Sequence, residues 1–163
     1  MKTQFVAYYY NGGVPLAIRD FKPEDFDALW RIDQECFPPG ISYSKQELRA
    51  YVRQRGAFTL VAEQGRGEIA GFLVAHRGPT GHIITIDVIA KARRSGAGSL
   101  LLEKAEEQLR DGGSFAVGLE TAVDNLSAIS FYKRHGYSVV RTWPRYYSNG
   151  VDALVMKKSL KKA

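Results

Sequence analysis

The middle of the chain, 82–110, combines an apolar stretch, a short loop with two glycines and an amphipathic stretch. This order predicts a strand, a loop and a helix that begins near Gly96. Because Gly96 and Gly98 have no Cβ, a ligand can approach the backbone closely there, and the first N–H groups of a helix have no partner inside it. Three cations stand in the same loop: Lys91, Arg93 and Arg94. With the positive end of the helix dipole they predict an anion site suited to a pyrophosphate, and a plain strand-to-helix turn with solvated arginines is the alternative.

The residues after the glycines exclude two common nucleotide motifs. A phosphate-binding P-loop has a lysine followed by serine or threonine after its second glycine, and this loop has neither. A dinucleotide fingerprint has a third small residue where this chain has Leu101. The loop therefore favours neither ATP nor NAD as the source of the phosphates.

Two segments together resemble one enzyme superfamily. The loop 93–98, Arg-Arg-Ser-Gly-Ala-Gly, resembles the acyl-coenzyme A loop of the GNAT N-acetyltransferases, Gln/Arg-x-x-Gly-x-Gly/Ala. The segment 119–137 is similar to the later motif of that superfamily, in which a strand ends near an acidic residue and is followed by Asn, Ala-Ile, and Tyr shortly before Gly-Phe/Tyr. With Arg-Tyr-Tyr at 145–147, the pattern is most similar to the ribosomal-protein N-terminal alanine acetyltransferases of the RimI type. The resemblance covers 14–158.

The resemblance implies an enzyme, an acetyl-coenzyme A-dependent N-acetyltransferase. Acetyl-coenzyme A would be its co-substrate, no metal would be needed, and the acetyl group would pass by direct attack to a primary amine. The favoured acceptor is the N-terminal α-amine of a peptide or protein, with a ribosomal protein as one candidate. Two alternatives stay open: acetylation of a small-molecule amine such as an amino acid, polyamine or drug, and a non-catalytic module that binds acyl-coenzyme A.

The predicted fold class is α/β, and periodicity alone indicates a sheet with a helix crossover. One helix joins the strands predicted at 82–89 and 114–121, so these strands should be parallel. The resemblance adds the GNAT fold, a mixed sheet of six or seven strands with helices on both faces. In that fold the two central strands splay apart, and the pantetheine arm enters the gap between them.

The coenzyme site is expected along the glycine loop and at the strand before it. In the resembling family that strand bulges near its end, which would direct backbone N–H groups near Val88 and Ile89 at the oxyanion. The residues expected to contact acetyl-coenzyme A are Val88, Ile89, Arg93, Arg94, Ser95, Gly96, Ala97, Gly98, Ser99, Asn125 and Tyr132.

Acetyl transfer from a thioester to an amine also needs a base and an acid. Glu120, at the carboxyl end of a predicted strand, is the candidate base, directly or through water. The resemblance implies that Tyr132 is the acid for the coenzyme sulfur, and its spacing of seven residues from Asn125 would let both side chains face one ligand. The alternatives are an ordinary ion pair for Glu120, packing for Tyr132 and a helix cap for Asn125.

A proline-stiffened aromatic loop, 37–43, links the first two predicted helices. In the resembling family this loop forms one wall of the acceptor channel, and a tyrosine pair borders the peptide groove. The candidates for acceptor contact are therefore Glu35, Phe37, Tyr43, Tyr146 and Tyr147. Simple packing is the alternative for both groups.

The length of 163 residues predicts one domain, 1–163, with a leader over 1–13 that pairs with the first core strand or extends from it, and a solvated basic tail over 159–163. A net charge of +6 suits an anionic ligand. The sequence has no basic stripe interleaved with aromatic residues, so we expect no direct role in nucleic-acid binding. Cys36 is the only cysteine, so no internal disulfide or zinc site is expected. No apolar run is long enough to span a membrane, and a lone cysteine suits a reducing compartment, so the predicted location is the cytoplasm. The predicted oligomeric state is a monomer or a homodimer.

Overall fold

The computed structural model describes residues 7–11 and 14–161, and these ranges contain eight strands and four α-helices. The strands are β1 (Ala7–Asn11), β2 (Val14–Asp20), β3 (Ala57–Gln64), β4 (Glu68–His76), β5 (Thr80–Val88), β6 (Ala116–Ala122), β7 (Ser138–Trp143) and β8 (Ala153–Ser159). The helices are α1 (Phe26–Cys36), α2 (Lys45–Arg53), α3 (Ala97–Asp111) and α4 (Leu126–Arg134), with short 3₁₀ turns at Pro23–Asp25 and Ala90–Ala92.

The eight strands of the described ranges form one mixed sheet in the order β1-β2-β3-β4-β5-β6-β8-β7. Only β5 and β6 are parallel among the neighbouring pairs described, because α3 carries the chain from one to the other. Seven strands, β2 to β8, match the predicted number, and β1 adds an eighth from the leader by pairing with β2. The rest of the leader, 1–6 and 12–13, lies outside the described residues. The α/β mixed sheet is therefore confirmed.

Helices cover both faces of the sheet and bury a separate apolar cluster on each. Helices α3 and α4 pack over one face, where Leu73, Ile83 and Leu119 are buried. Helices α1 and α2 pack over the other, where Phe72 and Val74 are buried. Because successive strand residues point to opposite faces, Phe72 and Leu73 belong to different clusters. The sheet thus separates the glycine-loop helix from the aromatic loop that follows α1.

The two central strands diverge after a short contact. Strands β5 and β6 pair only from Thr80 to His82 on one strand and from Ala116 to Gly118 on the other. Strand β6 pairs with β8 over its full length but with β5 only at its start. The edge of β5 that faces β6 is therefore left open beyond His82. An opening through the middle of the sheet results, as the family resemblance implied.

The last strand corrects the expectation of a solvated basic tail. Lys158 lies in β8, and its Nζ is 2.7 Å from Oε1 of Glu106, a buried residue of α3. The hydroxyl of Tyr137 donates to the same carboxylate at 3.2 Å. Leu160 is buried in the core as well. The ion pair of Lys158 with Glu106 and the buried side chain of Leu160 hold the chain against the core as far as Leu160. Residues 162–163 lie outside the described part.

Candidate active site

A cleft of about 910 Å³ occupies the opening between β5 and β6. Its lining comes from both faces of the sheet. On one face it reaches the end of α1 and the loop that follows; on the other it reaches the first turns of α3 and α4. Strand residues from 83 to 88 and from 119 to 122 form the passage between the two halves. The cleft therefore has two entrances that meet between the diverging strands.

The half on the α3 face contains the glycine loop. Gly96 immediately precedes α3 with a φ of +92°, a left-handed conformation that favours glycine, and Gly98 and Ser99 follow in the first turn. Their N–H groups are among those that an α-helix leaves without an internal acceptor. Arg94 and Asn125 line the same half, whereas the Arg93 side chain turns into the passage, where its Nε donates to the carbonyl of Val88 at 3.2 Å and its Nη2 to Sγ of Cys36 at 3.8 Å. Asn125 also caps α4, since its Oδ1 accepts from the N–H of Ala128 at 3.3 Å. It therefore lines the cleft and has the capping role that was the alternative.

Four residues of the predicted anion site lie elsewhere. Ile89 packs against the apolar cluster of the opposite face, and its N–H donates to the carbonyl of Ala70 at 2.9 Å, so it has no donor for an oxyanion. Ser95 accepts from the N–H of Ala97 at 3.3 Å, and the Ala97 side chain is buried in the core. Lys91 forms an exposed ion pair with Glu68. The helix phase and the turn before it point these side chains away from the cleft.

Val88 retains the donor that the sequence analysis expected. Gly71 faces Val88 in the ladder, and the neighbouring Ile89 bonds to β4. Bonded and non-bonded positions alternate along an antiparallel pair, so the N–H of Val88 points away from β4 and into the opening. The bulge of this strand lies at Ile84, four residues before the expected position, since Val74 pairs with Thr85 and the next partner is Ile83.

Glu120 lies on the α1 face of β6 and is held by a histidine. Nε2 of His82, on β5, is 2.6 Å from Oε2 of Glu120. An ionised carboxylate can only accept, so the imidazole N–H donates and fixes this oxygen. The Glu120 side chain is 17% exposed and lines the cleft. Its second oxygen is therefore the one placed to accept a proton from a molecule in the opening.

Tyr132 reaches the same opening from α4, on the other face. It is 7% exposed, and burial raises the pKa of its hydroxyl above the ordinary tyrosine value. Its ring packs edge-on against Phe131 and Tyr137 at centroid distances of 5.4 and 5.7 Å. The hydroxyl thus keeps its proton through the neutral pH range inside the cleft, and the ring has the packing role that was the alternative.

The half on the α1 face is aromatic. Phe37 and Tyr43 line it from the loop after α1, and Tyr147 lines it from the loop between β7 and β8. The two loops also contact each other, because the Ser148 hydroxyl donates to the carbonyl of Gly40 at 3.0 Å. Gly40 has a φ of +90°, and a Cβ built there would lie 2.7 Å from that of Asn149.

Two of the predicted acceptor contacts fall outside the cleft lining. Glu35 is exposed on α1, one residue before Cys36, and its helix phase turns it to solvent. Tyr146 is 46% exposed and packs edge-on against Tyr147 at 5.0 Å. It supports the wall that Tyr147 presents to the cleft.

Cys36 lines the cleft as an unreactive thiol. Its Sγ donates to the carbonyl of Val88 at 3.4 Å, and burial raises the pKa of the thiol to about 11. A protonated thiol is a poor nucleophile near neutral pH. This geometry agrees with direct attack by the acceptor amine.

Known proteins share this arrangement. Residues 26–137 match the model of the Acetyltransferase (GNAT) family. N-alpha-acetyltransferase 30 of Schizosaccharomyces pombe is 34% identical over 116 residues, which cover 68% of this chain and 77% of the relative. The crystal structure of Ard1 from Thermoplasma volcanium superposes with a TM-score of 0.83 at 27% identity, over 90% of this chain and 99% of that one. The ribosomal-protein-S18-alanine N-acetyltransferase of Escherichia coli shares the fold, with a TM-score of 0.80 at 22% identity, over 91% and 96%.

A family model that matches 112 residues, most of them in the sheet and the helices around the cleft, defines the class of this protein. The chain belongs to the GNAT acetyltransferase family, and the superfamily recognised from the two motifs is confirmed. It is an acetyl-coenzyme A-dependent acetyltransferase. Among residues 7–11 and 14–161, no helix is long and apolar enough to cross a membrane, and no group of acidic, histidine and cysteine side chains is arranged to hold a metal ion.

Sequence reasoning missed three polar partnerships in and around the cleft. His82 holds Glu120, and Ser99 lies 3.0 Å from Nε2 of His135. Asp87 of β5 is buried, and its Oδ1 accepts from the Thr85 hydroxyl at 2.5 Å. A lone acid within a strand rich in isoleucine and valine was a signal that could have been used, because a buried carboxyl group needs a partner. The residues around His82 and His135 gave no indication in the sequence of their contacts with Glu120 and Ser99.

Proposed function

We propose that the protein acetylates the N-terminal α-amine of peptides or proteins, with Glu120 as the base and Tyr132 as the acid. The observation that carries the proposal is the cleft through the sheet, which Glu120 enters from the acceptor half and Tyr132 from the coenzyme half. The name of the Schizosaccharomyces pombe relative supports the same acceptor class. All described strands share one sheet, which supports a single catalytic domain over 1–163, and one free cysteine fits a cytoplasmic setting.

The chemical roles follow from position. The acceptor ammonium gives a proton to the free oxygen of Glu120, directly or through a water, while His82 holds the other oxygen. The neutral amine then attacks the thioester carbonyl, and the N–H of Val88 is placed to stabilise the oxygen that becomes negative. Tyr132 supplies the proton that the departing thiolate needs. The first turn of α3 and Arg94 bind the pyrophosphate, while the Arg93 side chain is bonded to Val88 and Cys36.

The acceptor preference follows from amine basicity and from the shape of the walls. An α-amine has a reference pKa of about 7.7–8.0 and a lysine side chain about 10.4, so one carboxylate near neutral pH deprotonates the α-amine far more readily. Phe37, Tyr43 and Tyr147 can enclose a short extended peptide between the two contacting loops. A chain terminus therefore suits this site better than an internal lysine.

The first test uses isomeric peptides. One carries a free α-amine and an acetylated lysine, and the other an acetylated α-amine and a free lysine. We expect kcat/KM to be about 100-fold higher for the free α-amine near neutral pH, from the difference in neutral fraction. Consumption of acetyl-coenzyme A is the measurement, with a polyamine and a single amino acid as further acceptors. A faster reaction with the lysine peptide, the polyamine or the amino acid would contradict the proposed acceptor.

The second test addresses the pyrophosphate site. Arg94→Gln removes a charge that lines the cleft, so we expect the affinity for acetyl-coenzyme A to fall by about 10-fold or more, the size of one charge-assisted hydrogen bond. Lys91→Gln is the matched control, because Lys91 belongs to the same loop but pairs with Glu68 outside the cleft lining. Calorimetric titration measures both. Equal affinities in the two variants would remove the basis for the predicted site.

A further inference from the structure

Two carboxyl groups are buried together between α1 and β5. Asp33 is fully buried and Asp87 is 1% exposed. One oxygen of each has an ordinary partner: Oδ2 of Asp33 accepts from the N–H of Tyr43 at 2.7 Å, and Oδ1 of Asp87 accepts from the Thr85 hydroxyl at 2.5 Å. In the described part of the chain, the other two oxygens have no donor among neighbouring groups. The two carboxyl groups are close enough to share a hydrogen bond once one of them carries a proton.

A hydrogen bond between two carboxyl groups requires a proton on one of them, because two ionised carboxylates can only accept. Burial and the charge of Asp33 raise the pKa of Asp87 well above its ordinary value, and burial raises the pKa of Asp33 as well. Two buried like charges in contact would repel strongly. The pair therefore holds one proton, which also satisfies the two remaining oxygens.

The pair stands where the acceptor wall joins the sheet. Tyr43, whose N–H is bound by Asp33, is the last residue of the aromatic loop. Its carbonyl accepts from the side chains of Trp30 at 3.2 Å and Gln34 at 2.7 Å, and its hydroxyl lies 3.5 Å from the carbonyl of Ile84, the bulged residue of β5. Asp87 is one residue before Val88. The bond between the two acids thus links the aromatic loop to the strand segment that carries the oxyanion donor.

We propose that Asp33 and Asp87, through the one proton they share, are positioning residues that hold the acceptor wall against β5, so that acceptor affinity falls when this proton is lost. The effect on acceptor affinity rests on the proposed function, whereas the shared proton and its effect on the loop do not. Neither side chain lines the cleft, and the bond from Asp33 to the N–H of Tyr43 carries their effect to the acceptor wall.

The surroundings determine the direction of the pH effect. The groups that face the pair are Cys36 on α1, Tyr43, Glu47 on α2, Tyr132 on α4 and, through Cys36, Arg93. Cys36 and both tyrosines are neutral near pH 7, because burial raises the pKa of each. Glu47 adds negative charge, which favours keeping the proton. Contact between α1 and β5 is therefore strongest below the raised pKa of Asp87 and is weakened as the pH rises through it.

The test compares the wild-type protein with Asp87→Asn, whose amide donates a hydrogen bond to Asp33 and has no proton to lose. In the wild type we expect the KM for an N-terminal peptide to rise about 10-fold across an alkaline transition, with kcat and the KM for acetyl-coenzyme A little changed. In Asp87→Asn the peptide KM should stay flat over the pH range in which the wild-type value rises. A wild-type peptide KM without such a rise, or a rise shared by the variant, would overturn the proposal.

Two acceptor-independent measurements separate this proposal from the proposed function. The infrared difference between wild type and Asp87→Asn at neutral pH should contain the carbonyl band of a protonated carboxylic acid. In a Trp143→Phe background, fluorescence of Trp30, which donates to the Tyr43 carbonyl, should change at the same alkaline transition in wild type and not in Asp87→Asn. Absence of the band, or identical fluorescence titrations, would refute the shared proton or its effect on the loop even if no peptide is acetylated. If both signals appear and no peptide is acetylated, the proposed function alone fails.

Discussion

Replacement of Tyr132 by phenylalanine is expected to lower kcat by about 10² to 10⁴ while acetyl-coenzyme A binds as before. Phenylalanine keeps the ring that packs against Phe131 and Tyr137 and removes only the hydroxyl. Burial keeps this hydroxyl protonated through the neutral range, so it is the acid available to the leaving thiolate. Single-turnover rates and calorimetric affinities, measured on the same preparation, separate the chemical step from binding.

Tyr137→Phe is the matched control for this variant. Tyr137 is also a buried tyrosine with a raised pKa, but its hydroxyl donates to Glu106, beneath α3 and outside the cleft lining. Its loss should reduce the free energy of unfolding by about 1–3 kcal/mol and leave kcat nearly unchanged. If Tyr132→Phe also turned over at the wild-type rate, Tyr132 would be a packing residue.

Replacement of Glu120 by glutamine is expected to reduce the rate most at low pH. Below about pH 7 most of an α-amine is protonated, given its reference pKa of about 7.7–8.0, and the variant has no carboxylate to receive that proton. The loss there should fall within about 10² to 10⁴, and it should shrink above about pH 9, where the amine is already neutral. The pH dependence of kcat/KM for an N-terminal peptide is the measurement.

Glu35→Gln is the control for the base. Glu35 is exposed at the end of α1, outside the cleft lining, and its replacement should leave the pH profile unchanged. A Glu120→Gln enzyme with the wild-type profile would assign the base elsewhere, to Glu35 or to a chain of waters. A profile altered by Glu35→Gln alone would single out Glu35.

The elements that the sequence predicted well are those with a local signal. The apolar run that became β5 and the glycines at the start of α3 each determine backbone conformation within a few residues. The parallel pairing of β5 with β6 followed from a single helical crossover. Local pattern and chain connectivity were therefore sufficient for a sheet with a helix crossover, and the family resemblance supplied the rest of the fold.

The errors concern side-chain direction and distant partners. The glycine loop was found, but the turn Ala90–Ala92 directs Lys91 toward Glu68, and this direction depends on tertiary packing. His82 and Glu120 are 38 residues apart, and no pattern in the sequence relates one to the other. The parallel pairing of β5 with β6, which sets His82 opposite Gly118, brings the two side chains together.

That opening has a kinetic consequence. Because it passes from one face of the sheet to the other, the acetyl donor and the acceptor have separate points of entry, and neither blocks the arrival of the other. The thiol in the passage, Cys36, has a pKa raised to about 11 and is poorly suited to carry the acetyl group between them. Under the proposed function we therefore expect turnover through a ternary complex, with no acetylated protein in the cycle and with each product leaving by the side on which its precursor arrived.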